Sequence, residues 1–308
     1  MFTYPEIDPI ALDLGFIQIH WYGLMYLAAF ASAWWLGKYR ASKPGSGWNA
    51  EQVSDMIFYG ALGVVLGGRI GYMLFYNFSI LLDDPLALFR VWEGGMSFHG
   101  GLLGVLVAMI LFGRRHKKAF FETMDFAAPL VPLGYFFGRM GNFINGELWG
   151  RVTDAPWAMI FPHVDMLPRH PSMLYQGFLE GLVLFFIAWI YSSKSRPRMA
   201  VSAVVAVGFG GFRFLLEFLR QPDAHLGFVA LDWMTMGQIL SIPLILLGII
   251  LWVLAHRGQT MATAKSEIEV PEVEVKSEQG KTQKKEVKKT SDKKNKRNSE
   301  KKNRGKRK

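Results

Sequence analysis

Seven long apolar runs constrain the fold of this chain more than any other feature. A helix needs roughly 20 apolar residues to cross the hydrocarbon core of a bilayer. With 51% hydrophobic residues overall, the chain has runs of about that length centred on 17–37, 55–76, 97–113, 120–138, 173–191, 201–219 and 235–255. We therefore predict an all-α, polytopic membrane protein with about seven transmembrane helices.

The basic residues of the connections predict its orientation, because cytoplasmic loops of membrane proteins are enriched in Lys and Arg. Residues 1–16 and 77–96 together contain one basic residue, Arg90. The connections after the first, third and fifth predicted helices contain many more: Lys38, Arg40, Lys43, Arg114, Arg115, Lys117, Lys118, Lys194, Arg196 and Arg198. This asymmetry predicts that the N-terminus lies outside and the C-terminus in the cytoplasm.

The net charge of +10 comes from one end of the chain. Residues 1–256 contain 17 basic and 17 acidic residues, whereas 257–308 contain 18 and 8 and no aromatic residue. Such a segment buries too little apolar surface to fold alone. We predict a membrane-embedded domain over 1–256 and a disordered, Lys-rich cytoplasmic tail over 257–308 that is attracted to anionic lipid head groups. Contact with nucleic acid is the alternative for this tail, and we do not expect it.

Several classes of chemistry are disfavoured by what the sequence lacks. The chain has no cysteine, which excludes disulfides, thiolate metal sites and a thiol intermediate on the protein itself. It contains no G-x-S-x-G nucleophile elbow and no H-E-x-x-H or similar ligand cluster. We therefore expect neither a serine hydrolase nor a metal or cofactor site.

Polar residues inside the apolar runs collect toward one side of the predicted membrane. At about 1.5 Å per residue, Arg213 and Arg69 lie roughly 18 and 21 Å from the inner ends of their helices, in a core about 30 Å thick. His99, Tyr22 and Arg139 fall at the outer ends of other predicted helices. Arginine at such depth is costly unless it faces a polar cavity or a partner, so it indicates a functional site.

Simpler interpretations exist for some of these residues. Arg213 and Glu217 lie four apart on one helical face and could neutralise each other. Arg220 and Arg151 lie near helix ends, from which a long side chain can reach the interface. His99 could be a hydrogen-bonded structural histidine, although its glycine neighbours would allow a lipid to come close.

The spacing of several glycines favours helix packing rather than chemistry. Gly63, Gly67 and Gly71 recur every four residues, as do Gly134 and Gly138. Small residues at this spacing let membrane helices approach closely.

Arginines at the outer leaflet, with a histidine, a carboxylate and asparagine amides, suit recognition of a phosphate-bearing lipid head group. The guanidinium group offers paired planar donors to phosphate oxygens. The same groups could stabilise a departing phosphate. Another enzyme acting on phospholipid, such as a phosphotransferase, is an alternative. A lipid or anion transporter is a weaker one, because the chain shows no clear internal repeat.

The segment "GRMGNFINGELWGR" (138–151) is very similar to the signature of the prolipoprotein diacylglyceryl transferases. "HWYGLMYLAAF", "GGRIGYMLFYN", "VWEGGMSFHGGLLG", "LPRHPS", "FRFLLEFLRQPD" and "MGQILSIP" resemble other segments of that family, in the same order. The likeness covers about residues 4–256 and excludes the tail.

This resemblance implies an enzyme of the bacterial cytoplasmic membrane whose site faces the outer leaflet. The implied reaction transfers the sn-1,2-diacylglyceryl group of phosphatidylglycerol to the lipobox cysteine thiol in the signal peptide of a prolipoprotein, forming a thioether and releasing glycerol phosphate. The implied partners are thus phosphatidylglycerol, the prolipoprotein and the bilayer. The substrate would bring the thiol that this chain lacks.

The resemblance also implies roles for individual residues. Arg139 and Arg213 match the arginines that would hold the phosphate, with Arg69 added from its depth. The remaining matched site residues are Tyr22, His99, Asn142, Glu147, Gly150 and Glu217. His99 has the side chain whose ordinary pKa suits a base that deprotonates the thiol, but a phosphate oxygen could serve instead.

One segment departs from the family pattern. Where the family reads close to "RHPSQLYE", this chain reads "RHPSMLYQ", so Met173 and Gln176 replace a glutamine and a carboxylate. Any role of that carboxylate is therefore in doubt here. Arg169 and His170 remain, in a Pro-rich outer segment that we expect to form part of an access path or lid.

Overall fold

The computed structural model describes residues 2–222 and 227–268, and helices dominate them. One compact unit ends at Arg257. The α-helices of the described residues are α1 (Trp21–Ala41), α2 (Ala50–Phe75), α3 (Phe78–Asp83), α4 (Phe98–His116), α5 (Phe120–Ala127), α6 (Val131–Ile144), α7 (Ser172–Gln176), α8 (Leu184–Tyr191), α9 (Ala200–Leu216) and α10 (Met236–Ile268). Short 3₁₀ helices cover Pro85–Phe89, Val91–Glu93 and Ala128–Leu130, and a π-helical segment, Gly177–Val183, joins α7 to α8.

Four of the described helices are long and apolar enough to cross a membrane. They are Ala50–Phe75, Phe98–His116, Ser172–Tyr191 and Met236–Arg257, and each coincides with a predicted span. The other three predicted spans coincide with α1, with the consecutive helices over 120–144, and with α9, which has only 17 residues. A largely helical protein with at least these four candidate spans is thus confirmed, whereas the number seven stays a prediction.

Two small sheets were not expected. β1 (Phe2–Thr3) pairs in parallel with β4 (Met159–Ile160), which pairs antiparallel with β5 (Pro168–Arg169). β2 (Ile10–Asp13) and β3 (Gln18–His20) form an antiparallel hairpin. These strands belong to the segments outside the long helices, where strand pairing satisfies backbone groups that no helix bonds.

Local sequence sets the starts of the helices that carry the site. Ser97 caps α4 by accepting a hydrogen bond from Gly100 N at 3.2 Å, so His99 lies in the first turn of that helix. Pro129 and Pro132 lie where α5 passes through a 3₁₀ turn into α6. Proline lacks an N–H and is best accommodated in the first turn of a helix, which is consistent with a break at this point.

A seam of glycines joins α2 to α4, as the spacing predicts. A Cβ atom on Gly63 would lie 2.7 Å from Gly104 O, and one on Gly71 would lie 2.7 Å from Gly100 Cα. The helices therefore touch backbone to backbone. The corresponding expectation for Gly138 is wrong, since a Cβ atom there would meet nothing within 4 Å. Its spacing matches the pattern, but no helix among the described residues packs against that face of α6 at this point.

The prediction for the tail falls largely outside the described residues. Helix α10 continues to Ile268, and residues 269–308 are not among those the structure describes. The division at residue 257 and the disorder of the tail therefore stay predictions.

Candidate active site

The end of α6 holds Arg139 between two neighbours on its own helix. Arg139 Nη2 donates to the Tyr135 hydroxyl at 2.5 Å, and Nη1 donates to Asn142 Oδ1 at 3.1 Å. These partners lie four residues before and three residues after Arg139, the spacings at which helical side chains meet. The guanidinium group is thus fixed at two of its three nitrogens.

The turn after α6 folds back on the same group. Asn142 Nδ2 donates to Glu147 Oε2 at 3.2 Å, and Asn145 Nδ2 donates to Glu147 Oε1 at 2.9 Å. Gly146 and Leu148 both have positive φ, 67° and 58°, a conformation that glycine adopts freely and leucine does not. The polar signature of residues 138–151 is therefore one connected hydrogen-bond chain from Arg139 to Glu147.

Tyr22 lies beside this chain. Its ring packs where a side chain on Gly141 would be, with Cδ2 only 2.6 Å from the position of a Cβ atom. Tyr22 also lies close enough to Glu147 and Arg139 to interact with them electrostatically. The structure thus brings together four of the predicted residues of the signature side: Tyr22, Arg139, Asn142 and Glu147.

A second cluster surrounds Glu217 at the end of α9. Arg213 Nη2 lies 3.1 Å from Glu217 Oε2, and Arg220 Nη1 lies 3.1 Å from Glu217 Oε1. Glu217 is 1% exposed, so the two guanidinium groups rather than water balance its charge. The predicted Arg213–Glu217 ion pair is confirmed.

The interpretation of Arg220 and Arg151 as interfacial side chains is wrong. The side chain of Arg220 is 10% exposed and paired with Glu217. Arg151 Nε donates to Arg220 O at 3.0 Å, and Arg151 Nη2 to Glu217 O at 3.4 Å. A buried carboxylate and the backbone carbonyls of Glu217 and Arg220 hold these arginines inward more strongly than the interface attracts them.

Tyr135 and Glu180 connect the two clusters, and sequence reasoning missed both. Glu180 is fully buried, faces the Tyr135 hydroxyl, and interacts electrostatically with Arg213 and Arg139. A carboxylate in the middle of the apolar run 173–191 was the available signal for Glu180. Tyr135 stands among other aromatic residues in "GYFFG", which gave no signal.

Gly150 lies where the signature segment and the end of α9 approach each other closely. Its N–H donates to His170 O at 2.7 Å, and it pairs with Arg220 in an isolated β-bridge. A Cβ atom at Gly150 would lie 2.5 Å from Leu219 O. Gly150 therefore joins the signature segment to the end of α9, and its predicted contact with substrate stays a prediction.

Arg69 and His99 stand apart from the two arginine clusters. Arg69 is buried and donates to backbone carbonyls of the segment before α4: Nη2 to Ala87 O at 2.5 Å, Nε to Leu88 O at 3.2 Å, and Nη1 to Gly94 O. These bonds use the donors that a phosphate would need, so the geometry gives the predicted substrate contact of Arg69 no support.

His99 is exposed, and the contact that the structure gives it among the described residues is with the ring of Phe98. No described contact joins it to Arg139 or Arg213. Its predicted role as a base stays a prediction that requires a substrate between them.

The Pro-rich segment that contains Arg169 and His170 is packed and hydrogen-bonded. Arg169 Nη2 lies 2.6 Å from Asp165 Oδ2, and its Nη1 donates to Gly150 O at 3.2 Å. The Arg169 guanidinium holds the pKa of Asp165 below its usual value, while burial lowers the pKa of His170 and favours the neutral imidazole. Met173 and Gln176, the two departures from the family pattern, are both fully buried.

The fold and the site define a helical protein with membrane-spanning helices and a partly buried arginine–carboxylate site suited to an anionic group. This chain belongs to the prolipoprotein diacylglyceryl transferase family: the sequence model described as "Prolipoprotein diacylglyceryl transferase" matches residues 9–254.

Curated relatives agree with that assignment. A phosphatidylglycerol–prolipoprotein diacylglyceryl transferase of Photobacterium profundum is 59% identical over 257 residues, which cover 83% of this chain and 96% of the relative. Proteins of the same name from Legionella pneumophila and Coxiella burnetii are 60% and 57% identical over 252 and 259 residues. These matches cover 82% and 83% of this chain, and 98% and 99% of the relatives.

Proposed function

We propose that this protein is a phosphatidylglycerol–prolipoprotein diacylglyceryl transferase that carries out the first step of lipoprotein maturation. The lipobox cysteine sulfur of a prolipoprotein attacks the phosphate-bearing carbon of the diacylated glycerol in phosphatidylglycerol. A C–S bond forms, the C–O bond to phosphate breaks, and glycerol phosphate leaves with the bonding electron pair. The relatives of the same name, about 60% identical over nearly their whole length, support this activity.

The observation that carries the mechanism is the pair of arginines joined through Tyr135. Arg139 and Arg213 both flank this hydroxyl and both lie next to buried carboxylates. Their remaining N–H groups hold the phosphate and neutralise the charge that builds on it as the C–O bond breaks. Fixed donors of this kind need no rearrangement during the reaction.

The other predicted site residues have supporting or substrate-facing roles. Asn142 and Glu147 hold Arg139 and the turn in place, Glu217 orients Arg213, and Gly150 keeps the two segments together. Tyr22 packs beside Arg139 and Glu147 at the edge of the site. The thiol must lose its proton to react well, and exposed His99 is available to a peptide that approaches from outside.

We place the protein in the bacterial cytoplasmic membrane, with about seven spans, the N-terminus outside and the C-terminus in the cytoplasm. Loop charges support this orientation, and it puts Arg139 and Arg213 in the outer half of the bilayer, where phosphatidylglycerol and the prolipoprotein signal peptide meet. Residues 1–256 form the transferase domain, and 257–308 form a cytoplasmic tail outside the reaction.

The test uses purified protein in vesicles with phosphatidylglycerol and a lipobox peptide. Mass spectrometry should detect the peptide with a diacylglyceryl thioether and an equal amount of glycerol phosphate. Modified lipid without modified peptide would instead indicate a phosphotransferase. Absence of any reaction by a folded protein would contradict the proposed function.

A further inference from the structure

The centre of the site contains buried polar atoms that lack hydrogen-bond partners among the described residues. Gln176 and Glu180 are 0% exposed and Glu217 is 1% exposed. The unpartnered atoms are Arg139 Nε, Arg213 Nη1, Gln176 Nε2 and Oε1, and Glu180 Oε1 and Oε2. Glu217 Oε2 has the ion pair with Arg213 Nη2 at 3.1 Å instead of a hydrogen bond. Native proteins hydrogen-bond nearly all such atoms, so a cluster of exceptions indicates that something else bonds them.

The helices that carry Arg139, Gln176 and Glu180 approach closely where α6 meets the helix that follows α7. A Cβ atom on Gly177 would lie 3.3 Å from Arg139 Cβ, and one on Gly181 would lie 2.9 Å from Phe136 Cα. Gln176 and Glu180 each precede one of these glycines, and Glu180 belongs to the π-helical segment. Single π-turns often occur at functional sites.

Glu180 faces the Tyr135 hydroxyl that accepts a hydrogen bond from Arg139, and it lies within electrostatic range of Arg213. Within the part of the chain that the structure describes, the Tyr135 hydroxyl is close enough to interact with one of its oxygens, but neither oxygen has a hydrogen bond in good geometry. The carboxylate is therefore aimed at the same space as the two arginines.

The chemistry of the unpartnered atoms identifies what would satisfy them. Arg139 Nε and Arg213 Nη1 are donors, which a phosphate satisfies. The oxygens of Glu180 are acceptors, which a phosphodiester cannot satisfy because it carries no proton to donate. Gln176 offers one donor and one acceptor. A ligand for the whole cluster must therefore combine an anionic phosphate with hydroxyl groups.

We propose that Glu180 and Gln176 bind the free hydroxyls of the head-group glycerol and so select a hydroxylated phosphodiester lipid. This inference rests on the proposed function, because the head group of phosphatidylglycerol is a glycerol joined directly to the phosphate. With the phosphate on Arg139 and Arg213, the hydroxyls lie only a few bonds away, beside the carboxylate and the amide. Glu180 and Gln176 then determine specificity, while the arginines contact the group that leaves.

The experiment compares phosphatidylglycerol with phosphatidylpropanol, whose head group is similar in size but has no free hydroxyl. The readout is the ratio of kcat/KM for the two lipids in the thioether assay. We expect the native protein to favour phosphatidylglycerol by roughly tenfold or more, since a site built for hydroxyls leaves its polar groups unpaired with the analogue. In Glu180→Leu and Gln176→Met this preference should fall to about threefold or less.

The ratio separates recognition from positioning. If Glu180 only positioned the arginines, Glu180→Leu would slow both lipids equally and leave the ratio unchanged. Glu180→Gln keeps one acceptor and should retain an intermediate preference. An unchanged ratio in both Glu180→Leu and Gln176→Met, with folded protein, would overturn the proposal.

Gln238→Met is the matched control, because Gln238 is equally buried but hydrogen-bonded, accepting from Thr235 N at 3.0 Å. It should lower the melting temperature and leave the lipid ratio as it is. Gln176→Met should not lower the melting temperature, because it removes an amide without partners. A clear drop in Gln176→Met would show a structural role and count against the proposal.

Failure of the proposed function would look different. No thioether would form from either lipid, whatever the variant. Retention of the two lipids by the purified protein, measured by native mass spectrometry, would then decide the head-group preference: equal retention contradicts it, and preferential retention of phosphatidylglycerol that Glu180→Leu abolishes supports it.

Discussion

Arg213 uses one end of its guanidinium group on the protein and leaves the other end for a ligand. Nη2 is paired with Glu217 at 3.1 Å, whereas Nη1 is buried without a partner in the described part of the chain. Lysine at this position keeps the charge and can still pair with Glu217. It cannot extend a second donor in the opposite direction, because all its N–H groups share one nitrogen.

The size of the effect follows from that single lost donor. A hydrogen bond to a charged group contributes about 1.5–3 kcal/mol, and about 1.4 kcal/mol at the transition state corresponds to a factor of ten in rate. Arg213→Lys should therefore lower kcat/KM for thioether formation by roughly tenfold to a hundredfold. Arg139→Lys should lose at least as much, since lysine cannot reach Tyr135 and Asn142 together.

The assay measures initial rates with purified variants in phosphatidylglycerol vesicles, at matched protein content and with melting temperatures checked. Arg196→Lys is the control, because Arg196 precedes the first turn of α9 whereas Arg213 lies in its last turn, and because Arg196 is exposed and donates to Tyr191 O at 2.9 Å. Arg220 is not a suitable control, since it shares Glu217. Rates within twofold of native in both Arg139→Lys and Arg213→Lys would refute phosphate binding by these two arginines. His99 would then be the next residue to test.

Three further outcomes are expected. Arg69→Met should expose the segment 85–95 to limited proteolysis and lower the melting temperature, because the carbonyls of Ala87, Leu88 and Gly94 lose their donor. The loss is about 1–3 kcal/mol for the buried Ala87 carbonyl, and an unchanged digestion pattern would contradict the anchoring role. Reporter fusions after Arg115 should read cytoplasmic and those near Asp165 external, and a cytoplasmic signal at Asp165 would overturn the orientation. Truncation after Arg257 should leave turnover largely intact in the purified assay, so a folded but inactive truncated protein would place the tail in the mechanism.

The helices could be predicted from the sequence because hydrophobic run length is a local property. The depth of a residue along a predicted helix could also be estimated from the sequence. This estimate singled out Arg213 correctly as a member of a polar cluster. Depth says nothing about the direction of a side chain around the helix axis. Arg69 and Arg213 lie at similar depths, yet Arg69 binds carbonyls of the segment before α4 and Arg213 binds Glu217.

Contacts between distant segments were not predictable in the same way. Arg220 looked interfacial because it lies near the end of a predicted helix, and no local pattern reveals that this end is covered by the segment of Gly150 and Arg151. Tyr135 became part of the site only through the packing of α6 against the helix that carries Glu180. Pairing of this kind depends on tertiary structure, which single-sequence periodicity does not encode.

The glycine seam between α2 and α4 fixes the distance between these two helices. Ordinary carbon contacts begin near 3.4 Å, while a methyl group on Gly71 would start at 2.7 Å from Gly100 Cα, so even alanine there would push the helices apart by roughly 0.7 Å. Gly100 is the residue next to His99. Reacting groups misplaced by about 1 Å can lose a hundredfold in rate. The close contact between α2 and α4 therefore fixes the position of His99 that the proposed role as a base requires.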